Sequence, residues 1–453
     1  MQIIMEAAEN VVKILNKPKT SSSGYRWMTY VVECPVAEGV LLFHTLTREL
    51  LLLSRDEYQH FEESQKLRDK WFVVPSEMED MKYADHVRLI LKALTPKKQH
   101  TTSYTIFTTM DCNARCFYCY EKGCSRSSMS KDTAHEVARY IAKHCGGEKV
   151  RLKWFGGEPL FNMEIIDIIS SDLKVLGVEY NSNMISNGYL FDDEVIKKAL
   201  DLWKLHKIQI TLDGTESVYN HVKSFIYKDG RSPYQVVMTN IGKLLDAGVR
   251  VTIRLNLDKH NEENLFQLTE ELHKRFAGKD GLSVYSHVLL ENAGGVKDTN
   301  ANVRTNEERR SIYSKQQNLM NHLGELGLAR CNTLNRQIRL SGCMADSGAS
   351  LTVLPNGELG LCEHYSEDNF VGHIACDELD NEVIKRFRET IEKVDECAAC
   401  FYYPECIYLK MCPGVSECFE ELREENRQLI QMAILSSYQA WLDKEKNIGK
   451  GGR

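Results

Sequence analysis

The sequence TIFTTMDCNARCFYCYEKG, residues 105–123, decides the fold of this chain. Its first six residues predict a β-strand, because β-branched and aromatic side chains dominate them. Three cysteines follow the strand at the spacing C-x3-C-x2-C, namely Cys112, Cys116 and Cys119. A structural zinc ion normally takes four ligands, whereas three thiolates on a short loop can hold three irons of a cubane and leave the fourth iron open. The stretch therefore predicts a strand that ends in an iron–sulfur site.

From residue 104 onward, predicted strands alternate with amphipathic helices, an order typical of βα units and a parallel α/β sheet. The six predicted strands are TIFTTM, VRLKWF, SNMIS, KIQITL, VRVTIRLNL and LSVYSHVLL. Six units rather than eight predict a partial, open barrel over residues 104–305, with catalytic groups at the carboxyl ends of its strands. A bridging helix is expected over residues 306–330.

The first hundred residues have a different order of elements. Two β-rich runs, RWMTYVVE and VLLFHTLTRELLLLS, flank a turn at Glu38-Gly39, and helical periodicity follows around 55–66 and 80–95. This order of hairpin, helix, strand and helix suits a winged-helix-like module over residues 1–97. The opening sequence MQIIMEAAENVVKILNK predicts a short amphipathic helix.

Composition narrows the class of function. The formal charge of -7 argues against a nucleic-acid partner. The sequence has neither a run of about 18 apolar residues nor a charged-then-apolar leader, so we expect no membrane partner and a cytoplasmic location. Thiols stay reduced there, so the 15 cysteines indicate metal rather than disulfides. Four isolated cysteines are expected to be small buried hydrophobic residues, namely Cys34, Cys124, Cys145 and Cys376.

A second group of cysteines lies near the C-terminus. Before most of them, the sequence SLTVLPNGELGLC predicts a β-hairpin around Asn356-Gly357. The cysteines of the group are Cys331, Cys343, Cys362, Cys397, Cys400, Cys406, Cys412 and Cys418. This density favours metal binding, and a zinc ribbon built on the Cys397-x2-Cys400 pair is the alternative to iron–sulfur clusters.

The cysteine loop resembles that of the radical S-adenosylmethionine (SAM) superfamily, in which an aromatic residue, here Tyr118, precedes the third cysteine. The resemblance implies a partial (β/α)6 TIM-like barrel. It also implies that the amino and carboxylate groups of SAM chelate the open iron, and that an electron from the cluster breaks the sulfonium bond to give a 5'-deoxyadenosyl radical. The cofactor would supply this chemistry, while the protein orients it and excludes solvent.

Polar residues at the predicted strand ends match places where this superfamily contacts its cofactor. The resemblance assigns Gly156, Gly157 and Glu158 to the loop that receives the cofactor's amino group; glycines permit close approach, and a carboxylate accepts from an ammonium. Further candidate contacts are Ser186, Asn187, Asp213 and Arg254. Ordinary helix capping or turn formation would explain each of these residues as well. Family members often carry a His and Arg pair after the Asp-Gly turn, whereas this chain has His221 and Lys223.

The C-terminal group resembles the SPASM domain, expected here over residues 331–453. The order of cysteines in that family implies one auxiliary cluster on Cys343, Cys362 and Cys412 and another on Cys397, Cys400, Cys406 and Cys418. Five residues separate Cys406 from Cys412 where the family usually has three, which leaves Cys412 and Cys418 exchangeable. Cys331 is the candidate fourth ligand of the first auxiliary cluster; if it is structural instead, that cluster keeps an open iron for a substrate thiolate.

Together the resemblances imply SAM and three [4Fe-4S] clusters, one that binds SAM and two auxiliary clusters. Residues 1–97 resemble the precursor-recognition module of enzymes that modify ribosomally made peptides. The exposed edge of its hairpin would take a leader peptide as an added strand, and a stabilising cap is the alternative role. An electron donor such as flavodoxin or ferredoxin is the second expected partner.

The expected reaction is abstraction of a hydrogen atom from a precursor peptide by the 5'-deoxyadenosyl radical, followed by closure of a thioether cross-link. Carbon–carbon cross-linking or epimerisation by the same machinery is an alternative. Formylglycine formation of the sulfatase-maturase kind is a second alternative, and a zinc-bound or redox-sensing interaction protein is a third.

Overall fold

The structure is a computed structural model, and it describes residues 1–15, 24–95, 98–119, 125–227, 230–289, 306–329, 333–338, 340, 343–363, 370–412, 418 and 420–450. The predictions made for Cys124 and Cys331 lie outside these residues. So does part of each expected boundary between modules, which stays a prediction.

The first 95 residues contain a four-stranded antiparallel sheet. The elements are β1 (Gln2–Met5), α1 (Glu9–Leu15), β2 (Tyr25–Trp27), β3 (Val31–Val36), β4 (Gly39–His44), β5 (Leu50–Leu53), α2 (Arg55–Gln59), α3 (Gln65–Asp69), β6 (Val73–Pro75) and α4 (Asp80–Leu94). The strand order is β1-β5-β4-β3, and β2 pairs with β6 separately. The turn at Glu38-Gly39 joins β3 to β4, as the sequence predicts.

The helix expected at the start of the chain is wrong in its first part. Gln2–Met5 form a strand paired with β5, and the helix occupies only Glu9–Leu15. The reason is tertiary: Ile3 pairs opposite Leu51 and packs into the same core, and this pairing outweighs the local helical period.

Six parallel strands make the central sheet. The elements are β7 (Ser103–Thr109), α5 (Lys131–His144), β8 (Val150–Gly156), α6 (Met163–Val175), β9 (Tyr180–Ser186), α7 (Asp193–Asp201), β10 (Leu205–Leu212), α8 (Glu216–Lys223), α9 (Pro233–Asp246), β11 (Arg250–Leu257), α10 (Glu262–Phe276), β12 (Leu282–Val288) and α11 (Asn306–Glu325). Neighbouring strands run parallel in the order β12-β11-β10-β9-β8-β7. Over the described strands the sheet stays open at β12, which confirms the predicted partial barrel.

Helix α5 shows why the sequence folds into these units. Its helical periodicity places one apolar face against the sheet, formed by Ala134, Val137, Ala138 and Ile141. The hydroxyl of Ser130 accepts from the Thr133 amide and caps the first turn. Trp154 and Trp203 are fully buried in the same core.

The C-terminal part adds strands to this sheet. Its elements are β13 (Ser350–Val353), β14 (Glu358–Gly360), β15 (Phe370–His373), α12 (Asn381–Phe387) and α13 (Glu420–Lys450). The hairpin predicted around Asn356-Gly357 is confirmed, and Gly357 adopts a φ of 92°, which favours glycine. The sequence does not predict that β13 pairs in parallel with β7, with Ser350 opposite Ser103. This pairing places the hairpin beside the strand that leads to the cysteine triplet.

Helix α13 returns to the N-terminal sheet. Its residues Ile434 and Tyr438 share a core with Leu41 and Phe43 of β4. The amide of Gln431 donates to the carbonyl oxygen of Glu33 on β3, at 2.9 Å. The N-terminal sheet therefore completes its core with the last helix of the chain.

The isolated cysteines follow their prediction only in part. Cys34 and Cys145 are buried, as expected. Cys376 is exposed, so the expectation of burial is wrong there, because it lies just after the turn that ends β15. Across the described part of the chain, no helix has the length and hydrophobicity needed to cross a bilayer.

We expect Ile434→Ala to lower the free energy of unfolding by about 2–4 kcal/mol, because the substitution leaves a cavity between α13 and the N-terminal sheet. Leu435→Ala on the same helix is the control: its side chain is 44% exposed, and a change under about 1 kcal/mol is expected. Urea denaturation measures both variants. Equally small losses would contradict the shared core.

Candidate active site

The cysteine triplet lies at the carboxyl end of β7, where a barrel of this kind places its chemistry. Backbone bonds tie the loop to the segment that follows α8. The Arg115 amide donates to the Lys223 carbonyl at 2.8 Å, and the Ile226 amide donates to the Asn113 carbonyl at 2.9 Å. The loop is therefore held in place by two points on a neighbouring part of the barrel.

The three thiols of the triplet lie near one another. Burial, together with the charges of Glu158, Cys116 and Cys119, raises the pKa of the Cys112 thiol to about 12. The Ala114 amide donates to the Cys112 sulfur at 3.3 Å. No group of three His, Cys, Asp or Glu side chains within the described ranges has metal-binding geometry, so the iron ligands stay a prediction. Crowded thiols that repel one another as thiolates nevertheless fit a cationic metal centre.

The two glycines after β8 allow the backbone to approach the cysteine loop. A Cβ on Gly156 would lie 2.1 Å from the Thr109 carbonyl oxygen, and one on Gly157 would lie 2.3 Å from that of Asp111. The Gly157 amide donates to the Thr109 carbonyl at 3.0 Å. Glycine is thus required at both positions by the protein's own backbone, a reason that differs from the ligand approach expected from the sequence.

Glu158 is fully buried and joins the ends of β8 and β9. Its carboxylate accepts from the Ser186 hydroxyl at 2.9 and 3.1 Å, from the Asn187 amide at 2.8 Å and from the Leu160 amide at 3.1 Å. These bonds fill most of the four lone-pair sites of a carboxylate. The structure thus brings three predicted site residues together, while their contact with SAM stays a prediction.

A buried ion pair lies beneath the cysteine loop. The Lys223 ammonium is 3.0 Å from the Asp213 carboxylate, and both side chains are almost fully buried. Tyr118 donates to Asp213 at 3.0 Å and accepts from Lys223 at 2.9 Å. Burial lowers the pKa of Lys223, but the facing charges of Asp213 and Tyr118 outweigh it and raise the pKa above the ordinary value. Lys223 is therefore a cation in the folded chain.

The same network reaches strand β11. The Asn256 amide donates to Asp213 at 2.9 Å, and the Arg254 guanidinium donates to the Asn256 side-chain oxygen at 2.9 Å. Tyr118, Asp213 and Arg254, predicted separately, are thus linked through Asn256 and Lys223. In the sequence, Lys223 stands out only as a departure from the family pattern. Its position on the helix after the Asp213 turn was the available signal.

Further polar residues of the sheet interior were missed by the sequence analysis. Tyr285 on β12 is in register with Arg254 and donates to the Gln209 side-chain oxygen at 3.0 Å. Lys153 on β8 forms an ion pair with Glu363 at 2.5 Å. Because side chains alternate along a strand, the order of strands could have placed these residues on one face. They line the side of the sheet that the helices leave free.

Four of the C-terminal cysteines line one cavity, which we call the auxiliary cysteine pocket. They are Cys397, Cys400, Cys406 and Cys418, the set expected for the second auxiliary cluster. Burial raises the pKa of the Cys400 and Cys406 thiols. The three cysteines expected for the first auxiliary cluster, Cys343, Cys362 and Cys412, pack elsewhere, against the barrel core. Cys418 rather than Cys412 therefore lies at the pocket, and both ligand sets stay predictions.

Comparison with known proteins agrees with this geometry. Residues 106–272 match the Radical SAM superfamily. A GTP 3',8-cyclase of Clostridium perfringens strain SM101 is 27% identical over 307 residues, which cover 62% of this chain and 87% of the relative. A GTP 3',8-cyclase of Rhodopirellula baltica is 29% identical over 161 residues, which cover 34% of this chain and 41% of that protein.

Two solved structures extend the comparison. The structure of anSMEcpe with bound AdoMet has a TM-score of 0.57 at 15% identity, covering 76% of this chain and 99% of that one. Streptococcus suis SuiB has a TM-score of 0.49 at 12% identity, covering 86% and 95%. The open sheet of six parallel strands, with a cysteine loop at its carboxyl edge, is a radical SAM fold. The chain therefore contains a radical SAM domain, and it is an enzyme.

Lys223→Met should lower the free energy of unfolding by about 3–5 kcal/mol, because it leaves the buried Asp213 carboxylate without its cation. Lys197→Met makes the same substitution at an exposed position of α7 and is the matched control. Chemical denaturation of the two variants checks this. A loss no greater than that of the control would argue against the buried pair.

Burial raises the pKa of Glu158 to about 7 in the folded chain, against a lowering effect of its hydrogen bonds. An acid whose pKa is higher in the folded than in the unfolded state holds more protons when folded, so stability falls as pH rises between the two values. From about pH 5 to pH 8, the wild type should lose up to about 3 kcal/mol relative to Glu158→Gln. Unfolding free energies across that range test it, and parallel curves would contradict the shift.

Proposed function

We propose that this enzyme modifies a ribosomally made precursor peptide, with thioether cross-linking as the reaction. The observation that carries the proposal is the auxiliary cysteine pocket, a second sulfur-rich site apart from the triplet. A thioether formed from a C–H and an S–H group requires loss of one hydrogen atom, one proton and one electron. The hydrogen atom goes to the 5'-deoxyadenosyl radical and the proton to solvent, so the electron needs an acceptor such as an auxiliary cluster.

The residues at the triplet fit SAM and a [4Fe-4S] cluster. Cys112, Cys116 and Cys119 would hold three irons, and the cofactor would supply the 5'-deoxyadenosyl radical. The protein's part is orientation: the Gly156-Gly157 backbone packs against the start of the cysteine loop, and the Glu158 carboxylate joins the ends of β8 and β9. Contacts of Ser186, Asn187, Asp213 and Arg254 with SAM belong to the proposal, as do the two auxiliary clusters and a flavodoxin or ferredoxin as electron donor.

The N-terminal sheet is proposed to bind the leader of the peptide, but at a different edge from the one expected. The two edge strands are β1 and β3. Helix α13 lies along β3, and Gln431 already donates to the Glu33 carbonyl there. An added strand would therefore pair with β1, at Gln2–Met5.

A related structure supports a peptide substrate. The anSMEcpe protein has been solved with AdoMet and the Cp18Cys peptide, with a TM-score of 0.55 to this chain at 14% identity. In the present chain, a peptide at the strand ends would find hydrogen-bonding partners in Arg254, Tyr285 and Lys153.

Replacing any of Cys112, Cys116 and Cys119 with Ala should abolish release of 5'-deoxyadenosine, because the cluster loses a ligand. The assay uses anaerobically reconstituted protein, dithionite and SAM, with chromatographic detection of the nucleoside. Cys376→Ala removes an exposed cysteine and should leave the yield unchanged. Release by a triplet variant at the wild-type level would overturn the assignment, and zinc with little iron in the wild type would favour the zinc-bound alternative.

The bond formed is read from the peptide. A thioether lowers the mass by two hydrogen atoms and removes one alkylatable thiol; a carbon–carbon link lowers the mass equally but spares the thiol. Epimerisation leaves the mass unchanged, and formylglycine adds an aldehyde that hydrazides trap. The 27% identity to GTP 3',8-cyclases favours a nucleotide substrate as the second candidate. Conversion of GTP in the absence of peptide would replace our proposal with that one.

A further inference from the structure

Two arginines from distant parts of the sequence meet at the auxiliary cysteine pocket. Arg88 belongs to α4 of the N-terminal module, and Arg423 belongs to α13. The pocket is lined by Cys397, Cys400 and Cys406 and by Cys418, together with Tyr402, Tyr403 and Arg423. Arg423 follows Cys418 by five residues, whereas Arg88 is distant from these cysteines in the sequence.

Arg88 donates hydrogen bonds to the backbone of the segment that carries Cys406. Its guanidinium donates to the carbonyl oxygens of Tyr403 at 2.8 Å, Pro404 at 3.2 Å and Cys406 at 2.8 Å. The same group lies 5.2 Å from the centre of the Tyr403 ring. One planar cation thus bonds three carbonyl oxygens within residues 403–406, a geometry that the single ammonium of lysine does not reproduce.

Arg423 contacts the sulfur of one cysteine directly. Its Nη1 lies 3.6 Å from the Cys418 sulfur, within range of an N–H···S hydrogen bond. One cation therefore contacts the pocket at Cys418, and a second contacts the backbone at Cys406.

Acidic groups nearby do not cancel this charge. Glu405 forms an ion pair with Arg48 at 2.7 Å, and Asp85 pairs with Lys393 at 2.9 Å. Glu392 also lines the pocket, but its side chain is exposed, so solvent screens it. Glu405 and Asp85 therefore each have a cation of their own.

We propose that Arg88 and Arg423 are positioning residues whose charges and hydrogen bonds at the auxiliary cysteine pocket raise the reduction potential of the cluster that the pocket would hold. The inference rests on the proposed function, in which this pocket holds a cluster that accepts one electron as the cross-link closes. Added negative charge is stabilised by nearby cations and by hydrogen bonds to cluster sulfurs, and both effects raise the potential.

The test measures the potential of the cluster in reconstituted full-length protein, without peptide or SAM. The electron paramagnetic resonance signal of this site is identified as the one lost in Cys400→Ala. Its midpoint potential is then titrated in Arg423→Met, Arg423→Lys, Arg88→Gln and Arg88→Lys. Controls remove a charge elsewhere on the same helices: Lys444→Gln, about 30 Å further along α13, and the exposed Lys82→Gln on α4.

We expect Arg423→Met to move the midpoint potential to a more negative value, with Arg423→Lys between it and the wild type. Arg88→Gln should also lower the potential, and Arg88→Lys should keep the potential but broaden the signal, because the loop loses its planar clamp. The Lys82 and Lys444 variants should match the wild type. If a neutral variant assembles no cluster, the lysine variant at the same position is used instead. A midpoint potential of Arg423→Lys equal to that of the wild type would overturn the proposal. An Arg88→Lys signal that is not broadened would also overturn it.

The same data separate this inference from the proposed function. A wild-type protein in which Cys400→Ala removes no iron–sulfur signal would show that the pocket holds no cluster, and both proposals would fall. A clear signal whose potential is unchanged in both neutral variants would overturn the role of the arginines alone.

Discussion

The ion pair between Lys223 and Asp213 is the interaction on which the candidate active site depends. Its two charges lie 3.0 Å apart with almost no access to solvent, and such a pair is costly to break once buried. The pair bonds to Tyr118 in the cysteine loop, and the Lys223 backbone carbonyl holds Arg115 in the same loop. A single buried cation thus joins three parts of the barrel rim, so the triplet has a fixed frame before any cofactor binds.

Local patterns predicted the elements, because each depends on a few neighbouring residues. Strand β7, the hairpin at Gly357 and the apolar face of α5 all follow from spacing and turn chemistry that the sequence displays directly. The pairing of Gln2–Met5 with β5 and of β13 with β7 did not follow, since a strand's partner depends on the whole fold. Register and partners are tertiary properties, and no window of sequence contains them.

The same division holds at the site. The three cysteines of the triplet and their glycine partners were predicted because they are close in sequence or end successive strands. Lys223 was not predicted, because its role depends on a buried contact with Asp213, and the sequence does not show that contact. Arg88 was beyond prediction for a stronger reason: it meets the Cys406 carbonyl across more than three hundred intervening residues. Site residues that belong to one sequence motif can be predicted, whereas site residues that meet only in the folded chain cannot.

The N-terminal module shares its core with residues that the ribosome adds much later in synthesis. Tyr403 belongs to the core of Tyr30 and Trp71, and Phe401 and Ile434 belong to that of Leu41. On a ribosome adding about 5–20 residues per second, about 310 residues separate the end of this module from Tyr403, a wait of some tens of seconds. During that wait its apolar faces lack their partners. The module can complete its packing only when the segment with Cys397 and Cys400 has emerged, because both cysteines pack against the core of Tyr30 and Trp71.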